Sequence, residues 1–417
     1  MPSFRLRSGM FFKSAAGIGL AALLAACATE TASSGGSGSQ GVTDKTVKVA
    51  GIVTETSAIG YSSAEAELGA RARFERANAE GGVHGRTVEF LGAEDDAMTS
   101  ATGVTAARRL VDKEDVFAVV PVSAPAFGGA EYLDQQKVPW FGWMTNPAWC
   151  GLSTAFGFNG CLTPQRGEKI PSWWAAQLGA ELGGTDGSVW VQSTDTSSSK
   201  IGAEMISRSF EASGFELVGL SSSVPAAAPP QDWLPYVNKV MESDGGGPPD
   251  VVVSVMSGTK HNGGFYTALK KAGYKGAITD ATSYDPKVMA DPQSVAALEG
   301  VYAAPQLEPF ESDIPEIVQM KADLRKAGGG DLVFSQHMAT GYWAADVFLK
   351  MLEKTGKDLT RENFLRAADG FSYENPGFGR VAYPQNKTQP TGCGALVRIK
   401  GGGFELARHL ECFDNVG

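Results

Sequence analysis

Histidine and cysteine are scarce in this 417-residue chain, which has four of one and five of the other. No two cysteines are spaced C-x-x-C, and His84, His261, His337 and His409 are scattered. That excludes the usual spacings of a structural zinc site. Other signatures are missing too. No G-x-G-x-x-G follows the strand expected at 47–53, and the Gly-rich "SSGGSGS" lies before it, so dinucleotide binding is unsupported. There is no G-x-x-x-x-G-K-[ST] phosphate loop and no G-x-S-x-G nucleophile elbow. Asp95-Asp96 is a carboxylate pair beside a strand end. It reads as a solvated loop capping the helix that begins near Ser100, with a metal or acid/base role as the alternative. Basic charge is also in deficit: 36 Lys and Arg against 46 Asp and Glu. An acidic body argues against nucleic acid or anionic lipid headgroups as partners.

The N-terminus carries Arg5, Arg7 and Lys13, then an apolar run from Ala15 to Ala26. A spanning helix needs about 20 apolar residues, so this run reads as a secretory signal. It ends Leu24-Ala25-Ala26-Cys27, which resembles a bacterial lipobox, with Cys27 lipidated as the mature N-terminus. Residues 1–27 are then the signal with its lipobox, and removing the part before Cys27 moves the formal charge from -10 to -13. Residues 28–43 are Ser/Gly/Thr-rich and read as a flexible tether. The expected location is outside the cytoplasm, anchored to the membrane by lipid.

Four cysteines remain, and an exported protein uses such a set as two disulfides. Cys150 and Cys161 bracket a short Gly-rich loop. Cys393 and Cys412 flank two strands around Gly401-Gly402-Gly403. A hairpin centred between Gly402 and Gly403 opposes residues whose numbers sum to 805, and these two cysteines satisfy that. The expected pairs are therefore Cys150–Cys161 and Cys393–Cys412.

The remaining body is too large for one ordinary core. Short apolar runs at 47–53, 87–91, 116–120 and 138–143 alternate with helical stretches, and a second such series runs from 169 to 305. Strand–helix alternation means parallel sheets covered by helices. The expected class is α/β, with two Rossmann-like lobes joined by a multi-strand hinge. Lobe 1 is expected at 44–164 with 306–370, and lobe 2 at 165–305 with 371–417.

The segment "GARARFERANAEGGVHGRTVEFLGAEDD" has a specific look: a helix ending Asn78-Ala79-Glu80-Gly81-Gly82, then Gly85-Arg86, a strand and Asp95-Asp96. With "AARRLVDKEDVFAVV", "QKVPWFGWMTNP", "LKKAGYKG" and "ATGYWAADVFLKMLEKTGKDLTRENFLRAAD", it resembles the type I periplasmic binding fold of the branched-chain amino acid (Leu/Ile/Val) family. The resemblance runs from about Thr43 to the C-terminus. It implies a monomeric, cofactor-free solute-binding lipoprotein that feeds the permease subunits of an ABC importer. A sensor of the same fold and an exported enzyme are the alternatives.

Open α/β sheets bind ligands beyond the carboxyl ends of their strands. By the resemblance, Ser123, Ala124, Met144 and Thr145 inherit the grip on a ligand's carboxylate and amine, and Tyr61 flanks it. Phe127 and Trp143 suit an apolar ligand part. Asp195, Met256, Ser257, Asp280 and Tyr284 are the far-lobe candidates. The sequence departs from the family in three places. The loop that begins at Ser123 offers one hydroxyl and a proline. An acidic residue sits one position early, at Asp280. The usual aromatic is missing around Asp195.

Overall fold

The computed structural model describes residues 39–58, 61–164, 167–256 and 259–417. The signal, Cys27 and most of the tether lie outside the described residues, as does Ser257. Strand–helix alternation gives β1 (Thr46–Val53), α1 (Glu65–Ala79), β2 (Thr87–Asp95), α2 (Ser100–Asp112), β3 (Ala118–Ser123), α3 (Ala130–Gln135), β4 (Trp140–Gly142) and β5 (Ala155–Gly157). These five strands form one parallel sheet in the order β2-β1-β3-β4-β5. Strand β5 was not expected. Its three residues lie in the Gly-rich disulfide loop, and pairing of Phe141 with Phe156 draws them onto the sheet edge.

The second series runs α4 (Trp173–Leu182), β6 (Ser188–Thr194), α5 (Ser197–Ala212), β7 (Glu216–Val224), α6 (Leu234–Met241), β8 (Val251–Ser254), α7 (Thr259–Lys271), β9 (Ala277–Asp280), α8 (Pro292–Leu298) and β10 (Tyr302–Ala303). Helix α5 starts five residues earlier than its apolar spacing suggests. The hydroxyl of Thr196 accepts the Ser199 N–H, and an N-cap converts an apparent Ser-rich loop into a first turn. Helices α9 (Pro315–Gly328), α10 (Gln336–Thr355) and α11 (Arg361–Ala368) follow. Next come a separate hairpin, β11 (Ser372–Asn375) with β12 (Gly379–Ala382), and the terminal pair β13 (Cys393–Lys400) and β14 (Gly403–Cys412). The second sheet has the order β14-β13-β10-β9-β8-β6-β7, antiparallel only where β13 pairs with β10 and β14. Two parallel-sheet lobes of the expected class result.

Both disulfides form as expected, which leaves no free thiolate among these four cysteines for zinc. The hairpin turn, however, lies one residue earlier than expected, at Gly401–Gly402, with Lys400 opposite Gly403. A regular hairpin centred there would not pair the cysteines. Two register shifts, on either side of Leu396, add two residues to β14 and bring Cys412 opposite Cys393.

Helix α10 is buried nearly all round, as a helix through a core must be. It lies against α1 at a crossing made by two glycines. A Cβ on Gly69 would collide with the Met338 carbonyl, and one on Gly341 with the Ala66 carbonyl. Beyond the crossing, Arg73 pairs with Asp346 at 2.7 Å, and Asp346 also accepts the Tyr373 hydroxyl at 2.7 Å. Residues 385–389 strap onto the disulfide loop: Gly151 N–H donates to the Lys387 carbonyl at 2.7 Å, and Cys161 N–H to that of Asn386 at 2.9 Å. The Lys387 ammonium donates to the Ser153 carbonyl and sits 3.9 Å from the centre of the Phe156 ring.

Gly341→Ala should cost about 2–3 kcal/mol or more, as overpacking a backbone contact does, and denaturant melts of the variant measure it. Burial lowers the Lys387 ammonium to about 8. Between about 8 and the ordinary value of 10.5 the unfolded chain holds more protons, so stability should rise with pH across that window. The rise should disappear in Lys387→Met, and melting temperature recorded against pH decides it.

Candidate functional site

Three strands of the first sheet end side by side, and Thr54, the residue after β1, ties their loops together. Its N–H donates to the Ser123 carbonyl at 3.2 Å, and its hydroxyl donates to Asp96 at 2.7 Å. Asp96 N–H returns to the Val53 carbonyl at 2.9 Å. Ser63 N–H donates to the Thr54 carbonyl at 2.7 Å, and its hydroxyl donates to the Ser123 carbonyl. The carboxyl edge is thus a rigid floor rather than a set of loose loops.

Three buried side-chain atoms around this floor lack a hydrogen-bond partner: Ser123 Oγ, Asp96 Oδ2 and His337 Nδ1. Orphaned buried polar atoms are rare and costly. Asp96 is not a solvated cap. It is fully buried, burial raises its carboxyl above the usual range, and the cap of α2 is Thr99. His337 stands in the first turn of α10. Its ring lies edge-on to Tyr61, with centroids 5.6 Å apart, and 6.1 Å from Trp143. Burial lowers the imidazole below its ordinary value and pushes the Tyr61 phenol well up.

Trp143 is fixed at both ends. Its backbone N–H donates to the Val122 carbonyl at 3.1 Å. Its indole donates at 2.9 Å to Gln306, which also accepts Asn159 at 3.2 Å. Gln306 belongs to the crossover that leaves β10. A second crossover contact lies nearby: Lys287, after β9, pairs with Glu65 of α1 at 3.0 Å, and Glu65 accepts the Ser335 hydroxyl at 2.7 Å.

The expected residues fall into two groups. Tyr61, Ser123 and Trp143 come together, with half-buried Thr145 two residues further on. The others are engaged elsewhere. Phe127 packs on Trp140 and Trp149, at 6.1 and 6.3 Å, with Ala124 and Met144 in the same core. Met256 is in a second-lobe core. Asp195 is exposed and accepts the Ala226 N–H at 3.0 Å. Tyr284 donates to Glu311 at 2.6 Å and accepts the Phe310 N–H at 2.8 Å. Asp280 is fully buried, and burial raises its carboxyl. One oxygen accepts the Thr282 and Ser283 N–H groups, both at 2.7 Å. The other accepts the hydroxyls of Tyr266 and Ser283, both at 2.7 Å. The Thr282 hydroxyl adds a longer fifth bond at 3.4 Å, so both carboxylate oxygens are filled.

Sequence patterns do not point to His337, Gln306 or the Glu65–Lys287 pair as site residues. A lone histidine at a helix start and a glutamine in a loop carry no pattern; only the fold brings them to the strand ends. Two cavities lie outside this cluster. One of about 620 Å³ is a groove between α6, α7 and α8, beside Trp233 and Lys271. Another of about 370 Å³ lies between Tyr284, Phe310, Phe334 and Phe404.

The fold is shared with solved structures at low identity. A fatty acid ABC transporter substrate-binding protein from Thermomonospora curvata superposes with a TM-score of 0.67 at 18% identity, over 90% of this chain and 95% of that one. A solute-binding protein of an ABC transporter from R. palustris, in complex with 4-hydroxybenzoate, gives 0.66 at 21%, over 88% and 97%. An ABC transporter substrate-binding protein from Sphaerobacter thermophilus gives 0.70 at 16%, over 89% and 98%. No relative is found among curated protein sequences. The family model described as periplasmic binding protein matches residues 46–403. That match spans the first sheet, the second sheet up to the start of β14, and the floor of the strand-end cluster, and the chain therefore belongs to the periplasmic binding protein family.

Proposed function

We propose that this chain is an extracytoplasmic solute-binding lipoprotein of an ABC importer, anchored through Cys27, and that its solute is a small acid with an apolar or aromatic body. The observation that carries the solute class is the unpartnered Nδ1 of His337, whose ring meets those of Tyr61 and Trp143, together with the unpartnered Ser123 Oγ at the end of β3. Two donors beside aromatic faces suit a carboxylate on a planar apolar group. Thr145 stands at the same edge as a further donor.

Asp280 supports the absence of an α-ammonium. The resemblance to branched-chain amino acid binders implied an acidic partner for that group. Asp280 already accepts five hydrogen bonds within its own lobe. A cation arriving there would have to displace them. The similar structures include one that holds 4-hydroxybenzoate and one that is named for a fatty acid transporter. Both are acids without an amine.

The protein performs no chemistry in this reading. A solute touching both lobes binds the closed arrangement better and shifts the population toward it by that difference. The closed form is what a permease would recognise. Groups able to sense closure include Lys287 against Glu65 and Gln306 against Trp143.

Three outcomes check the reading. In a thermal-shift panel, 4-hydroxybenzoate and related acids should raise the melting temperature through mass action, and leucine should not. A response to leucine alone would sink the acid reading. Ser123→Ala should weaken the best acid about tenfold to a hundredfold, the range for a hydrogen bond to a charged group. The same variant should not lower the empty protein's melting temperature, and should raise it slightly, because a buried hydroxyl without a partner is removed. Cys27→Ala should move the protein from the membrane fraction to the soluble one.

A further inference from the structure

His337 differs from the other groups at the strand ends in being able to change charge near neutral pH. Its imidazole is held between Tyr61 and Trp143, and its Nδ1 is buried without a partner. The charged and titratable groups that face it come from three further elements. Tyr61 stands in the loop after β1. Glu65 stands in the first turn of α1. Asp285 and Lys287 stand in the stretch after β9. Asp285 favours the charged ring, while Glu65 and Lys287, paired with each other, act on it in opposite directions, and burial outweighs these charges. The start of a 20-residue helix adds a field that disfavours a cation and favours an anion. An empty site therefore holds the ring neutral, and an arriving carboxylate reverses the balance.

We propose that His337 reads the acidic group of the solute and takes up one proton from solvent as the solute binds, so that capture is coupled to protonation. The inference rests on the reading of the solute as a small acid. One N–H bond forms on the imidazole, and the proton leaves a buffer acid, with no change of oxidation state. Burial lowers the empty-state imidazole below 6.5, and a bound anion raises it. Below both midpoints the ring is charged before binding, and above both it stays neutral. Uptake is confined to the window between them. In that window affinity for the acid falls as pH rises, by up to about tenfold per pH unit for one proton.

The test is titration calorimetry of the full-length protein in detergent with 4-hydroxybenzoate. It is run in buffers of different ionisation heat from about pH 6 to about pH 8. The parent should take up between about half a proton and one proton per solute in the window, with affinity falling several-fold per pH unit. His337→Gln should still bind, with uptake near zero and a flat pH profile. Binding by the parent without uptake overturns the proposal and leaves the acid reading standing. Failure of every acid in the panel to bind removes the acid reading and this inference together. A solute-free measurement tests the resting state of the ring independently. The imidazole resonance missing from His337→Gln spectra must belong to a mainly neutral ring at pH 6.5 in the empty parent. A mainly protonated ring there overturns the proposal.

Discussion

The backbone of α1 lies against that of α10 because Gly69 and Gly341 present no side chain at the crossing. Glycine in a helix interior is unfavourable by roughly 0.5–1 kcal/mol relative to alanine, so this contact must return more than it costs. The return is positional. One end of α1 carries Glu65, just after Tyr61 and Ser63, and the crossing brings that end to the start of α10, where Ser335 and His337 stand. A wider gap would part the imidazole from Tyr61 and release Glu65 from the Ser335 hydroxyl. The Arg73–Asp346 pair keeps the two helices from sliding once the glycines have set their distance.

Around that corner the polar groups divide by whether their bonds are spent. Thr54, Ser63, Asp95 and Asp280 are saturated, and they make the floor and the far rim stiff. Ser123 and His337 keep buried atoms in reserve. Stiff surroundings and unspent donors are what a binding site requires, because little ordering remains to be done when the solute arrives.

Much of the fold was legible in the sequence. The β-α alternation, the sheet class and the helix ends at Ala79 and Thr355 follow from apolar periodicity and glycine caps. Both disulfide pairs were legible as well, the hairpin pair through a turn placed one residue late and two bulges that no periodicity marks. The site was legible only along its own strands, at Tyr61, Ser123 and Trp143. Phe127 is close in sequence to Ser123, yet it turns into the core against Trp140 and Trp149. Gln306 reaches Trp143 across a separation of 163 residues, and His337 comes from further still. Such residues carry no local pattern, since tertiary packing alone brings them there.

The two bulges in β14 make its length a constraint separate from its composition. Side chains alternate across a strand, so a slip of one residue exchanges the faces. Between the turn and Cys412 the strand carries two residues more than its partner needs. Deleting either would turn Cys412 away from Cys393 while leaving the turn and the apolar pattern intact. Divergent relatives that keep this disulfide should therefore vary freely in the residues of β14 but change its length only by two at a time.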